Sequence, residues 1–447
     1  MAGLLIENGI LLTVNSSNDV FSKGYLFIQA DLIIAVAEGI APDTIRNQAS
    51  EIIDAAGQIV MPGLVNSHVH LFQTLIRGLS DNRPLIPWLE EVAFPIYEKM
   101  EPEHIFTAVQ MGIMENIRGG ATSVIDNFTV RQSPEGYDAV FRAAKKTGIR
   151  YKMARGYSDT GYPDSLMETG DEIITSTQRL QATWCSQPDS RLRIDFSPNV
   201  IWSTTEDTLS RIAQLSQEWG IGIHIHTAED DIENSMCLER NGVRQVAWLH
   251  QMGVLGPRTQ LAHGIWINEE EIELIAESET VVVHNPVSNM FLATGICPAA
   301  AMEKAGVRVA LGSDGQAVNN GQEMMDVLKW ASNLQKAHTL DATVLPPEQV
   351  IQMACMNGAH AFGLPGQIGS LEPGKKADII LIDLDSSRLA MPCLSVPSLL
   401  VNLASSNDVA TTIVGGKILM RDKEILVLNE DQLQREFTEI RAALINQ

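Results

Sequence analysis

Short apolar runs separated by turn-forming residues open the chain. Residues 3–60 read as strands in "LLIENGILLTV", "GYLFIQADLIIAVAEG" and "EIIDAAGQIVMPG", each broken by turn formers such as Asn8-Gly9. The pattern returns near the C-terminus in "ADIILIDLD" and "DVATTIVGGKILMRDKEIL". Two distant strand-rich ends predict one small β-sandwich domain assembled from residues 1–60 and 367–447. The closing segment "EDQLQREFTEIRAALINQ" has helical spacing with a polar face.

Between these ends, residues 61–366 repeat one theme. Strand candidates are "VMPGLVNSHVH", "ATSVIDNF", "RYKMARGY", "RLRIDFSPN", "IGIHIHTAE", "TQLAHGIW", "TVVVHNPVS" and "VRVALGSDG". Amphipathic helical stretches such as "EHIFTAVQMGIMENIRGG" and "EGYDAVFRAAKKTG" lie between them. Asn268 followed by Glu271 is a capping-box signature ahead of "IELIAES". Eight strands alternating with helices predict an α/β fold of the (β/α)8 barrel type. Periodicity alone leaves a doubly wound open sheet as the rival, and the placement of polar residues decides between them.

Catalytic groups of such a barrel lie at the C-terminal ends of its strands. Here the strand candidates end in His68/His70, Asp126, Arg155, Asn199, His226, His263, His284 and Asp314. A histidine or aspartate closing an apolar run is costly unless it is paired or binds something. One such residue has an ordinary explanation as a satisfied core group. Eight in succession point to a site.

Composition narrows the class. At 447 residues the chain exceeds one ordinary core, and an apolar fraction of 45% fits a folded globule. A formal net charge of −23 argues against a nucleic-acid partner and reads as a solubilising surface. Cys185, Cys237, Cys297, Cys355 and Cys393 are odd in number and lack CxxC pairing, which predicts reduced thiols in a cytoplasmic protein. No basic region precedes the apolar start and no run reaches membrane-spanning length, so no membrane partner is expected.

The sharpest chemistry is His68-Val69-His70, two imidazoles on one side of a strand, a spacing suited to capture of a divalent cation. His226 would add a third nitrogen and Asp314 an oxygen, a donor set for Zn²⁺ or Fe²⁺ with room for water. No lysine ends the fourth strand, so one metal is expected and not a bridged pair. His104, His250, His338 and His360 fall in helical segments and read as surface or packing residues.

Taken in order, "NSHVH", "HTAE", "LAHG", "HNPVSN" and "LGSDG" resemble the amidohydrolase superfamily. The nearest branch holds cytosine, guanine and S-adenosylhomocysteine deaminases and the triazine hydrolases. The resemblance runs nearly end to end, through "GSLEPGKKADIILIDLD" and "VGGKIL". It implies His68, His70, His226 and Asp314 as ligands of one divalent metal, Zn²⁺ with Fe²⁺ as the alternative. The family's fifth-strand pattern is HxxE, and only His226 stands three residues before Glu229. His224, roughly 6–7 Å deeper on the strand, is then a residue of the barrel floor. His263 is implied to face the water or substrate, and His284 to order the barrel mouth.

The activity so implied is hydrolytic release of ammonia from an amino-substituted N-heterocycle by a metal-activated water. Glu229 would carry protons to the ring and the departing amine, Asp314 would accept the water's proton, and His263 would orient the nucleophile. Expected substrate contacts are Gln73, Tyr97, Arg155, Asn199, Trp202 and Trp266, the tryptophans as stacking surfaces. Adenosyl-type deaminases carry a ribose-binding glutamate where Tyr97 stands and a histidine where Asn199 stands. Both departures count against a nucleoside and favour a base, pterin or triazine. One chlorohydrolase relative lacks the metal aspartate and another has Asp-Asn where this chain has Asp314-Gly315, so deamination is expected over dehalogenation. Adenosyl-nucleoside deamination, triazine dechlorination and an inactive scaffold are the alternatives, and the scaffold would be expected to lack ligands that are present here. A homo-oligomer is usual among similar proteins, so a dimer or larger assembly is expected.

Overall fold

The computed structural model describes residues 3–81, 83–186, 191–384 and 395–445. Five strands come first: β1 (Gly3–Leu12), β2 (Val20–Gln29), β3 (Leu32–Glu38), β4 (Ala49–Asp54) and β5 (Gln58–Pro62). Asn8-Gly9 does not end the first run as its turn chemistry suggests. Asn8 takes φ 67° inside β1, and the pairing with β2 slips between Glu7 and Gly9. Asparagine tolerates left-handed backbone, so the strand bulges and continues.

Eight parallel strands follow: β6 (Leu64–Val69), β7 (Ala121–Phe128), β8 (Arg150–Tyr157), β9 (Leu192–Pro198), β10 (Ile223–Thr227), β11 (Thr259–His263), β12 (Val281–His284) and β13 (Arg308–Leu311). Each pairs with the next in chain order. A doubly wound sheet would reverse its order at a switch point, and this one never does. It is the (β/α)8 barrel. The remaining strands, β14 (Ile379–Asp383), β15 (Val409–Val414), β16 (Lys417–Arg421) and β17 (Glu424–Ile425), join the first five in the order β17-β16-β15-β14-β5-β1-β2-β3, with β4 on β1. Leu4, Ile6, Leu26 and Ile28 share one apolar cluster with Ile379, Leu381 and Ile413, so this mixed sheet folds over its own core. Cys393 lies outside the described residues, and the four described cysteines are free. No described helix is long and apolar enough to cross a membrane.

Local chemistry sets the helices between barrel strands. Ser133 caps Pro134–Thr147, its hydroxyl accepting from Gly136 N, and Val140, Phe141 and Ala144 bury against the barrel. The Asn268–Glu271 capping box forms reciprocally, with bonds of 2.9 and 3.1 Å. Gly220, at φ 67°, ends Glu206–Trp219 and turns the chain into β10. In β10, Ile223 and Ile225 join the apolar layer under the helices, and alternation leaves His224 and His226 facing inward. Deeper in the barrel, Val65, Ile125, Ala154, Val283 and Ala310 pack with Phe362.

The barrel and the terminal sheet are clamped by a buried bidentate pair. Arg150 of β8 donates Nε to Asp378 Oδ2 at 2.7 Å and Nη2 to Oδ1 at 2.8 Å. Asp378→Ala is expected to cost about 3–5 kcal/mol, the usual penalty for removing one partner of a buried pair, read from the urea unfolding midpoint.

The first and last barrel strands meet differently from the others. Among the described residues no backbone ladder joins β6 to β13. Asp314 N donates to His68 O at 2.9 Å and Ser313 N to Asn66 Oδ1 at 2.9 Å. A buried amide lattice backs this seam: Asn66 Nδ2 donates to Asn116 Oδ1 (2.9 Å) and Ser313 Oγ (2.8 Å), and Gln322 Nε2 to Asp314 O (2.8 Å).

Candidate active site

Four side chains converge at the seam. His68 ends inside β6 and His70 stands just beyond it, while β10 supplies His226 and the turn after β13 supplies Asp314. His68 Nε2 and His70 Nε2 each lie 3.4 Å from Asp314 Oδ1, and His226 Nε2 lies 3.3 Å from His70 Nε2. Their second nitrogens fix the tautomers. His70 Nδ1 contacts Asn127 O at 2.6 Å and His226 Nδ1 contacts Asn199 O at 2.7 Å. A carbonyl only accepts, so both Nδ1 atoms carry the hydrogen and both Nε2 lone pairs face the centre. Burial pushes His70 down to about 4 and lowers His68 and His226 as well, which keeps these imidazoles neutral at pH 7.

These donors fit a divalent cation. His68 Nε2 is buried with no hydrogen-bond partner. Ligands about 2.0–2.1 Å from a tetrahedral Zn²⁺ lie about 3.3–3.4 Å from one another, the separations found here. His68, His70 and His226 form one compact donor group, and His68, His263 and Asp314 a second that shares His68. His224 stands below: its Nε2 lies 2.8 Å from His68 Nδ1, the nitrogen of His68 that faces away from the donor groups, and His224 sits outside both groups.

His263 is set apart by its surroundings. Asn289 Nδ2 reaches its Nδ1 at 2.9 Å and Asn285 Nδ2 at 3.4 Å. With amide donors on Nδ1, Nε2 carries the hydrogen; it faces Glu229 Oε2 at 3.6 Å and Asp314 Oδ2 at 3.9 Å and has no hydrogen-bond partner among the described residues. Left-handed backbone at Ala228 (φ 48°), His263 (φ 74°) and Asp314 (φ 64°) accompanies this convergence. Glu229 N donates to Glu233 Oε2 at 3.0 Å. Burial, then the nearby Asp314, Glu233 and Asp230, raises Glu229 well above the ordinary carboxylate range, and burial pushes Glu233 up to about 7.

A cavity of about 360 Å³ opens over these groups, lined in part by Gln73, Tyr97, Asn199 and Trp202. Gln73 Nε2 donates to Tyr97 Oη at 3.0 Å, and Asn199 Nδ2 to Ser158 Oγ at 3.1 Å. Gly315 makes room for the first pair, because a Cβ there would stand 1.8 Å from Gln73 Oε1. Gly315→Ala is expected to push Gln73 off Tyr97 and raise KM about tenfold with metal content unchanged, read from steady-state kinetics beside metal analysis.

Other strand-end residues lie elsewhere. Arg155 alternates with Ala154 and so faces the helices. It is fully buried, donates Nη2 to Glu168 Oε1 at 2.6 Å, and lies 4.7 Å above the Tyr137 ring. The expected substrate contact at Arg155 thus gives way to an ion pair behind the barrel wall. Trp266 is 43% exposed, donates Nε1 to Thr294 O at 2.8 Å, and does not line the cavity. Asp126 accepts from Leu71 N (2.9 Å) and Tyr151 Oη (2.7 Å), pinning the turn after β6. His284 is buried and also lies outside the lining. Sequence reading passed over Asn285 and Asn289, whose i,i+4 spacing in "HNPVSN" was the available signal. It also passed over Phe94 and Tyr162, which line the cavity from segments without strand periodicity.

Comparison with known proteins agrees with this geometry. The Amidohydrolase family matches residues 59–419. A 5-methylthioadenosine/S-adenosylhomocysteine deaminase from Syntrophomonas wolfei is 34% identical over 99% of this chain and 99% of its own. A 5'-deoxyadenosine deaminase from Methanosarcina acetivorans is 34% identical over 98% of this chain and 97% of its own. The crystal structure of an adenosine deaminase from Xanthomonas campestris with bound zinc has a TM-score of 0.93 at 28% identity, covering 100% of this chain and 99% of that one. A match that spans the barrel and its flanking strands, with relatives aligned along almost the whole length, places the chain in the amidohydrolase family.

Proposed function

We propose that this protein is a metal-dependent hydrolytic deaminase that releases ammonia from an amino-substituted N-heterocycle. The observation that carries the reading is the buried Glu229 carboxyl facing His263 Nε2 at 3.6 Å, beside His68, His70 and His226 nitrogens and an Asp314 oxygen within 3.3–3.4 Å of one another in neighbouring pairs. A divalent cation held there supplies a water nucleophile at neutral pH, since coordination brings the pKa of water to about 7. Glu229 takes a proton from the water, delivers it to a ring nitrogen, and next protonates the departing amine. Burial and the neighbouring carboxylates raise its proton affinity, which suits a carboxyl that must hold a proton between two transfers. His263 Nε2–H donates to the oxygen that attacks the ring carbon and steadies charge developing on it. Asp314 Oδ2 accepts the second water proton and returns it through Glu229 to the departing amine, so one water proton ends on the ring nitrogen and the other on ammonia. Gln73, tied to Tyr97, presents its buried Oε1, which has no protein partner, to a ring N–H.

The relatives weigh toward adenine nucleosides, including 5′-methylthioadenosine and S-adenosylhomocysteine, against the opposite leaning of Tyr97 and Asn199. The cavity, about 360 Å³, lies in the range of about 300–1,000 Å³ typical of sites for ligands larger than a bare ring. We read the metal as Zn²⁺, and the protein as a cytoplasmic homo-oligomer with four free thiols among its described residues. Metal analysis and sedimentation test those points. The activity itself is tested by ammonia release from adenine nucleosides, guanine, cytosine, pterins and aminotriazines. Absence of ammonia from every compound, with or without added Zn²⁺, would favour the inactive-scaffold reading.

A further inference from the structure

We propose that the cavity accepts heterocycles whose substituent is neutral and apolar and turns away those whose substituent bears a carboxylate. This rests on the deaminase reading and narrows its substrate class. Among the described residues, no lysine or arginine lines the cavity. A carboxylate entering it would leave water without gaining a cationic side chain, and an unpaired charge in a cleft is costly.

The titratable side chains that do line the space are carboxyls, histidines and tyrosines, none of them a partner for a carboxylate in the way a lysine or arginine would be. Glu90, Asp230 and Glu233 surround it together with Glu229 and Asp314. Two of them are held in place. Asp230 Oδ1 accepts from Ile232 N at 3.1 Å, and Glu233 Oε2 from Glu229 N at 3.0 Å. At long range the whole chain, at −23, repels an anion in the same sense.

What the cavity offers a substituent is apolar surface. Phe94, Tyr162 and Trp202 form a continuous aromatic wall, with ring centroids 4.7 Å and 5.3 Å apart. Ile232 and Met236 extend it at the mouth, 55% and 42% exposed, so a short alkyl or thioether group would cover surface that water now covers.

Three probes of one ring separate charge from size. They are 5′-methylthioadenosine, S-adenosylhomocysteine, and the analogue of the latter that keeps its ammonium and lacks its carboxylate. The full-length metal-loaded protein would be assayed with each by ammonia release and by binding calorimetry. S-adenosylhomocysteine is expected to fall about 100-fold below 5′-methylthioadenosine in both kcat/KM and affinity, with the decarboxylated analogue recovering to within about tenfold. S-adenosylhomocysteine performing within about tenfold of 5′-methylthioadenosine would overturn the proposal. So would a decarboxylated analogue as poor as its parent, because length would then be the cause. Glu90 is exposed at the mouth, and Glu90→Lys is expected to raise the relative performance of S-adenosylhomocysteine about tenfold. An unchanged ratio would count against the charge assignment. The deaminase reading fails separately, if no compound yields ammonia, and the binding order then still decides the charge preference.

Discussion

Replacing Glu229 with glutamine is expected to lower kcat for ammonia release by about 10²–10⁴-fold while the protein keeps its metal and its fold. Glutamine matches glutamate in shape and still bonds Glu233 through its backbone N–H, the contact seen at 3.0 Å. What it loses is an oxygen that can be protonated and deprotonated in one turnover. Because Glu229 belongs to neither compact donor group, its substitution leaves the cation's ligands in place. Near-normal turnover by Glu229→Gln with full metal content would remove Glu229 from the proton path. The measurement is single-turnover ammonia release beside metal analysis of the same sample.

Two histidines of one strand are expected to behave differently. His226→Ala should abolish tight metal binding and activity together, since it deletes an Nε2 donor whose tautomer Asn199 O already fixes at 2.7 Å. His224→Ala should keep the metal and weaken its affinity by about 10–100-fold, the usual cost of losing a partner behind a ligand. Without His224 Nε2, 2.8 Å away, His68 Nδ1–H loses its acceptor and the ring is less firmly aimed. Competition with a chelator of known affinity reads both effects. Metal loss in His224→Ala and retention in His226→Ala would invert the assignment of the HIH stretch.

How much of this was legible beforehand depends on what each residue's signal is made of. The barrel was readable because period-two runs recur eight times with helical stretches between, and β10 shows why: Ile223 and Ile225 must face the apolar layer, which turns His224 and His226 inward. The same rule, applied to β8, would have shown Arg155 facing outward beside Tyr151 and Met153. The resemblance that implies Arg155 as a substrate contact carries no information on facing, and the side a residue faces decides whether it meets the cavity. Trp266 lies beyond β11, where no periodicity fixes direction, and its indole N–H turns to Thr294 O. Gln73 and Tyr97 line the cavity together, although their 3.0 Å bond spans 24 positions that carry no spacing signal. Asn8-Gly9 shows the complementary limit, because turn chemistry also serves a bulge inside a continuing strand.

The seam between β6 and β13 has a consequence for stability. Asn66 and Ser313, joined there, are 247 positions apart in the chain. An ion held by His68 and His70 on one side and Asp314 on the other would act as a cross-link across nearly the whole barrel. Closing so long a loop costs entropy that grows only with the logarithm of its length, so one coordination centre can hold the ring shut at little more cost than a much shorter loop would carry. Binding energy then becomes folding energy, rising with free metal concentration. Chelation is expected to speed amide exchange first at Asp314 N, whose acceptor is His68 O, before it reaches the ladder between β8 and β9.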